Sequence, residues 1–368
     1  MTRSGALRTI AFHLPQFHPT PENDEWWGPG FTDWINVARA QPRFRGHAQP
    51  HEPGELGWYD LRVPEVRAAQ AELAGAHGIG AFCYYHYWFS GRQLLQRPVD
   101  EIVRSGEPDF PFLLCWANEP WTRAWDGKTS SVLVPQTYSP DDDIAHLRAL
   151  AEVFADPRYL RIDGRPVFLV YRAFHLPDPV ATTDRWRAEA ARLGLGELYL
   201  CCMQTGPGER HPPASLGFDA AVQFAPFYAL ATLRTKDRAA RAVERRVGVT
   251  TRNSRYRIVD YDAVVDAHLA VDDVDYTRFP CISPGFDNSP RRPDRGATIV
   301  TGSTPERYAH WLRATVDRFV PPSPDENLLF VNAWNEWAEG NHLEPDRRRG
   351  RAYLRAHAEL ASVGELSS

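Results

Sequence analysis

The chain has 368 residues, 43% hydrophobic and 24% charged, a balance that supplies a large core and excludes wholesale disorder or a collagen-like repeat. Lys and Arg total 42 against 47 Asp and Glu, for a net charge of −5, and the arginines are scattered, so a nucleic-acid binder is not expected. The 12 Trp, 14 Tyr and 18 Phe stand out, because the Trp gather in a few polar, loop-like clusters, as in a cleft that stacks sugar rings.

Short apolar runs rich in β-branched or aromatic residues alternate with longer segments of helical period, the pattern of βα units on a parallel sheet. In chain order the runs predict strands at 9–14, 80–85, 112–116, 167–171, 198–203, 220–224, 281–283 and 328–333. The seventh, flanked by Pro280 and Pro284, is the weakest. Helices are predicted at 63–76, 94–105, 140–154, 183–193, 261–270, 304–318 and 351–360. Ser139 before Pro140 and Asp141 to Asp143, and Ser303 before Thr304, Pro305 and Glu306, mark helix starts with acidic first turns. Residues 205–219 (TGPGERHPPASLGFD) are too rich in Pro and Gly for a helix, and a short turn is expected there.

No solenoid repeat, low-complexity tract or Pro/Ser linker divides the chain. Eight parallel units predict an α/β fold, a single (β/α)8 TIM barrel over residues 1–368 with its core at about 8–360 and with long βα loops. The start, MTRSGALRTIAFHLPQFHP, has no apolar signal-like stretch and no long apolar run follows, so a cytoplasmic protein without membrane insertion is expected. Cys83, Cys115, Cys201, Cys202 and Cys281 lie in apolar runs without metal-ligand spacing and read as structural thiols.

Barrel enzymes carry their chemistry on the loops after the strand C-termini, so the segments following predicted strands come first. Strand eight runs into FVNAWNEWAEGNHLEPD, placing Asn335, Glu336, Glu339 and Glu344 among Trp334 and Trp337. Glycoside hydrolysis uses two carboxylates, one to protonate the leaving oxygen and one to assist attack at the anomeric centre. If 336–339 stayed extended, their Cα atoms would be about 10 Å apart with side chains on opposite faces. If the chain turns after Glu336, i,i+3 neighbours come to about 5–6 Å at Cβ, and Gly340 and Asn341 permit such a turn.

Strand three ends in LLCWANEPWTRAWDG, with Trp116, Asn118, Glu119, Trp121, Arg123 and Trp125 close together. Asn and Glu can bond sugar hydroxyls while an indole stacks on the C–H face, and Glu119 is a reserve catalytic carboxylate. Strand two ends in AFCYYHYWFSG, which adds Tyr85, His86 and Trp88. The connection after strand one is far longer than a usual βα loop, and its Trp26 and Trp27 are candidate walls of the cleft. His13 and His18 lack a partner cluster, and no metal or cofactor is expected. The aspartates at 141–143 read as a helix start, and those at 273–275 precede a strand. There is no GxGxxG, GxxxxGK[ST] or GxSxG segment to cradle phosphate or present a nucleophilic serine.

The strings HLPQFHPTPENDEWWGPGFTDW, FCYYHYWFSGR, LCWANEPWTRAWDG and FVNAWNEWAEGNHLEPD resemble WbsX-type proteins, which are similar to glycoside hydrolase family 99, over about residues 8–360. The resemblance implies a (β/α)8 retaining endo-α-mannosidase or mannanase whose N-E-W-x-E motif matches Asn335 to Glu339. It implies that Glu336 deprotonates the sugar 2-hydroxyl to give a 1,2-anhydro intermediate, and that Glu339 protonates the leaving oxygen and later activates water. Ala338 departs from the motif, where family 99 enzymes usually carry His. The reading from sequence is a retaining glycoside hydrolase acting on an oligosaccharide or polysaccharide. A glycosyltransferase or transglycosylase of surface polysaccharide synthesis and a non-catalytic glycan-binding barrel are the alternatives.

Overall fold

The computed structural model describes residues 6–123, 128–233, 246, 255–292 and 296–365. Eight strands form the barrel: β1 (Arg8–His13), β2 (Ile79–Phe89), β3 (Phe112–Trp116), β4 (Arg165–Val170), β5 (Tyr199–Gln204), β6 (Ala220–Gln223), β7 (Arg278–Ile282) and β8 (Leu328–Val331). Each pairs in parallel with its sequence neighbours. β8 returns to β1, with Ile10 opposite Phe330, and closes the sheet. Helices α1 (Pro64–Gly75), α2 (Arg97–Ser105), α3 (Pro140–Ala155), α4 (Pro179–Arg192), α5 (Tyr261–Leu269), α6 (Pro305–Arg318) and α7 (Ala352–Glu365) flank it. The eight-unit reading holds, and the fold is a closed parallel (β/α)8 barrel.

Local chemistry sets the element ends. Ser139 Oγ accepts from Asp142 N at the start of α3, and Asp178 caps α4 ahead of Pro179, which moves that helix start upstream of the expected Thr183. At α6 the capping side chain is Thr304, which accepts from Arg307 N, and Ser303 instead bonds Tyr353 Oη. β2 runs beyond Tyr85 to Phe89 because its end pairs antiparallel with Arg92–Leu94. After β5 two short 3-10 turns, Pro207–Glu209 and Pro213–Leu216, stand where the other units have a helix. All five cysteines are free and buried. No described helix is long and apolar enough to cross a membrane.

Strand alternation divides the side chains between two layers. Inside the bore, Phe12 packs against Tyr85, Phe224 and Phe330 with ring centroids 5.1–5.6 Å apart. These rings plug the barrel below its C-terminal mouth. Outside, Trp116 and Phe168 pack against His146 of α3 and Trp186 of α4. The β1–α1 connection carries two short helices, Pro21–Trp27 and Trp34–Arg39. Its Phe17, Trp34, Tyr59 and Leu61 form a small core with Trp337 from the β8 loop, which fixes these two loops to each other.

Candidate active site

A cavity of about 290 Å³ opens at the C-terminal mouth. Its wall includes Leu14, Ala117, Tyr171, Phe224 and Asn332, each just past the end of a barrel strand. Aromatic side chains make much of the remaining wall, with polar side chains from several loops among them.

Glu336, Glu339 and Arg291 form one charged group in this wall. After Glu336 the chain turns into a 3-10 helix, Trp337–Glu339, ended by Gly340 at φ +54. A side chain at Gly340 would be strained by that φ, and its Cβ would lie 3.1 Å from Asp287 Cβ. Asn335 and Glu336 then pair with Asn341 and His342. The turn brings both carboxylates to one guanidinium: Arg291 Nη1 donates to Glu339 Oε1 at 2.7 Å and Nη2 to Glu336 Oε2 at 3.1 Å. Nη2 also meets Asp33 Oδ2 at 2.6 Å, and Asp33 is buried at the N-terminus of Trp34–Arg39. The Glu339 carbonyl accepts from Asp287 N at 2.5 Å, and Asp287 is held by His47 and Gln49.

Burial raises the carboxyls of Glu336 and Glu339 above the ordinary range; Arg291 opposes the rise, and the charge of Asp33 adds to it. Three carboxylates around one cation are net negative when all are ionised. The coupled pair therefore holds a proton more tightly than free glutamates do, which suits one member to donate and the other to accept.

The predicted residues divide cleanly. Trp27, Tyr85, Glu119, Trp121, Glu336 and Glu339 line the cavity. Trp26 stands beside the wall, edge-on to Trp121 at 5.7 Å. His86, Trp88 and Trp116 point to the opposite face of their strands. There His86 Nε2 meets His146 Nε2 at 2.8 Å, Trp88 bonds Asp142, and Trp116 Nε1 donates to the Trp88 carbonyl. Asn118 is fully buried and pins the Arg172 backbone through its Oδ1 and Nδ2. Asn335 does the same for Leu14, tying the end of β1 to that of β8. Trp334 is buried against Phe82. Trp125 lies outside the described residues.

Glu344 and Trp337 support the site from behind. Trp337 Nε1 donates to Glu344 Oε2 at 2.6 Å, joined by Tyr59 Oη at 2.8 Å and, on the other oxygen, Gln70 Nε2 at 2.6 Å. Burial pushes Glu344 up to about 7. Tyr59→Phe is expected to lower folding stability by about 1–3 kcal/mol, because it removes a donor from this buried carboxyl and an acceptor from Asn335. A urea melt measures it.

Arg291, Asp33, Gln16, Asn23, Tyr171 and Phe227 were not anticipated from sequence. All except Asp33 line the cavity. Arg291 sits in SPRRPDRG after β7, where the strand-end rule would have directed attention. Among the described residues, one group of three side chains could share a cation, His51, His342 and Asp346, and it is outside the cavity wall. His13 and His18 are buried separately from it.

Known proteins bear on this architecture in three ways. Residues 9–357 match the model of a family described as Glycosyltransferase WbsX. Proteins of two strains of Xanthomonas campestris pv. campestris, each described as "Uncharacterized protein WxcX", are 44% identical over 357 residues, or 94% of this chain and 48% of theirs. The chain thus spans about half the length of the curated relatives it matches. A solved GH99 endo-α-mannosidase from Bacteroides thetaiotaomicron superposes with a TM-score of 0.57 at 15% identity, covering 98% of this chain and 97% of that one. A structure described as "Glycoside hydrolase-like protein" gives 0.55 at 16% identity, covering 96% and 94%. At such identities the likeness is one of fold, whereas the match over residues 9–357 is one of family: the chain belongs to the WbsX family.

Proposed function

We propose that the chain is a retaining glycoside hydrolase that cleaves α-mannoside-like linkages in an oligosaccharide or polysaccharide. The observation that carries this reading is the pair Glu336 and Glu339 held on one guanidinium in the wall of an aromatic cavity. The fold shared with a GH99 endo-α-mannosidase supports it.

In the proposed reaction the Glu336 carboxylate takes the proton of the sugar 2-hydroxyl. O2 attacks C1 as the C1–oxygen bond to the leaving group breaks, and the Glu339 carboxyl gives its proton to that oxygen. Water then attacks C1 of the 1,2-anhydro sugar while the Glu339 carboxylate takes a water proton. The C1–O2 bond opens, and Glu336 returns the proton to O2. Two inversions at C1 give net retention, and both glutamates recover their starting states. The chemistry requires a 2-hydroxyl trans to the leaving group, as α-mannosides have. Ala338 is buried with Phe17 and Trp34 in the loop core, so a larger side chain there would disturb packing.

Charge supports hydrolysis over transfer from a sugar nucleotide. Among the described wall residues Arg291 is the one cation, and it is already engaged by carboxylates. Engaged in this way, it is not available to a diphosphate. The family's description favours a second reading, in which a sugar hydroxyl intercepts the same intermediate in place of water. A panel of α-mannoside oligosaccharides and bacterial surface glycans, assayed for new reducing ends, tests the proposal. No release from any member would contradict it. Trp27→Ala is expected to raise KM about 10-fold while kcat changes little, since a stacking wall contributes mainly to binding. Steady-state kinetics on the best substrate would show this.

A further inference from the structure

We infer that His51, His342 and Asp346 form a binding site for a divalent transition-metal ion, Zn²⁺ by donor set, which clamps the β1 loop to the turn carrying Glu336 and Glu339. This does not depend on the proposed reaction. His51 Nδ1, His342 Nε2 and a carboxylate oxygen of Asp346 all lie within 4.8 Å of one another, and the two ring nitrogens are 2.9 Å apart.

Two of the donors, His342 and Asp346, are prepared by bonds made elsewhere on the same side chains. His342 Nδ1 is 2.9 Å from the Glu344 carbonyl. A ring nitrogen facing a carbonyl carries the proton, so Nε2 presents its lone pair, the arrangement found in metal-bound histidines. Asp346 Oδ1 accepts from Arg348 N and Arg349 N, which fixes the carboxylate and leaves Oδ2 outside those bonds. The backbones on either side are already joined: Pro53 bridges to Asp346, and Gly54 N donates to the Pro345 carbonyl at 2.8 Å. A Cβ at Gly54 would lie only 2.8 Å from that same oxygen, so the approach requires glycine.

Two imidazoles and one carboxylate suit Zn²⁺ better than the oxygen-seeking Mg²⁺ or Ca²⁺, with a fourth position left for solvent. The role is positioning, since none of the three lines the cavity. His342 stacks on Trp337 at 3.7 Å, and Trp337 opens the turn that ends in Glu339. The ion would hold that turn through the stacked ring.

The test uses tag-free protein stripped with a chelator and titrated with Co²⁺. Wild type is expected to develop visible d–d bands saturating at one equivalent and lost on adding Zn²⁺. In His51→Gln and Asp346→Asn, both partly exposed positions, affinity should fall by more than the roughly 10–100-fold typical of losing an outer partner. Asn keeps an acceptor for the turn, so folding is preserved. Zn²⁺ should raise the melting temperature of wild type and leave that of His51→Gln unchanged. Absence of bands, or equal binding by both variants, would overturn the inference and leave His51 and His342 as a hydrogen-bonded pair.

Discussion

Glu336→Gln and Glu339→Gln are each expected to lower turnover by about 10²–10⁴-fold while leaving the fold intact. Each amide keeps the shape of the side chain and removes its ability to exchange a proton. Loss of activity through misfolding is distinguished by stability. Burial raises both carboxyls in the folded state, so each binds its proton more tightly there than in the unfolded chain. Their contribution to stability is present below the unfolded value, near 4.5, and is lost as pH rises through the higher folded value. The Gln variants carry no such loss. Their stability relative to wild type should therefore improve between about pH 5 and about pH 9. Urea melts at both pH values check this, and a variant equally inactive but less stable at the higher pH would contradict the electrostatic reading.

Arg291→Ala is expected to be the most destabilising single change in the site, by about 3–5 kcal/mol near neutral pH. The guanidinium, its side chain 12% exposed, compensates Asp33, Glu336 and Glu339 together. Its removal leaves three carboxylates facing one another without a counter-charge. Protonation relieves the repulsion, so the loss should shrink toward about pH 5 and grow at higher pH. Arg291→Lys is expected to recover only part of it, because an ammonium cannot offer the planar fork that bonds Glu339 through Nη1 and Glu336 and Asp33 through Nη2. Denaturant melts of the three proteins at two pH values measure both effects.

The barrel was legible in the sequence because its signals are local. Alternation of apolar runs and helical segments, Ser139 and Pro140 at one helix start, and the Pro/Gly content of 205–219 each act within a few residues. The turn after Glu336 was one of two courses the sequence left open, and Gly340, which permits it, is where it ends. Side-chain direction was harder. Tyr85 and Tyr87 face the cavity, whereas His86 and Trp88, one residue away, face α3. Reading the cluster as a block put Tyr85, His86 and Trp88 in the site, and strand alternation keeps only Tyr85 of these and adds Tyr87.

Long-range partners were not legible. Asp33 and Arg291 are separated by 258 positions, and nothing in either neighbourhood names the other. Glu344 carried the right residue type in the right string, but whether it faced substrate or packing depended on Tyr59 and Gln70, which come from other elements. The buried tryptophans mislead in the same way, because an indole prized for stacking sugars is equally suited to filling the space between barrel and helices.

The most direct test of the proposed chemistry is product analysis on α-mannoside oligosaccharides and bacterial surface glycans, with and without sugar nucleotides, for wild type and Glu339→Gln side by side. The expected result is release of a reducing sugar without any nucleotide, with its anomeric configuration retained at first appearance and its release abolished in the variant. Transfer that requires a sugar nucleotide, or hydrolysis undiminished in Glu339→Gln, would contradict it.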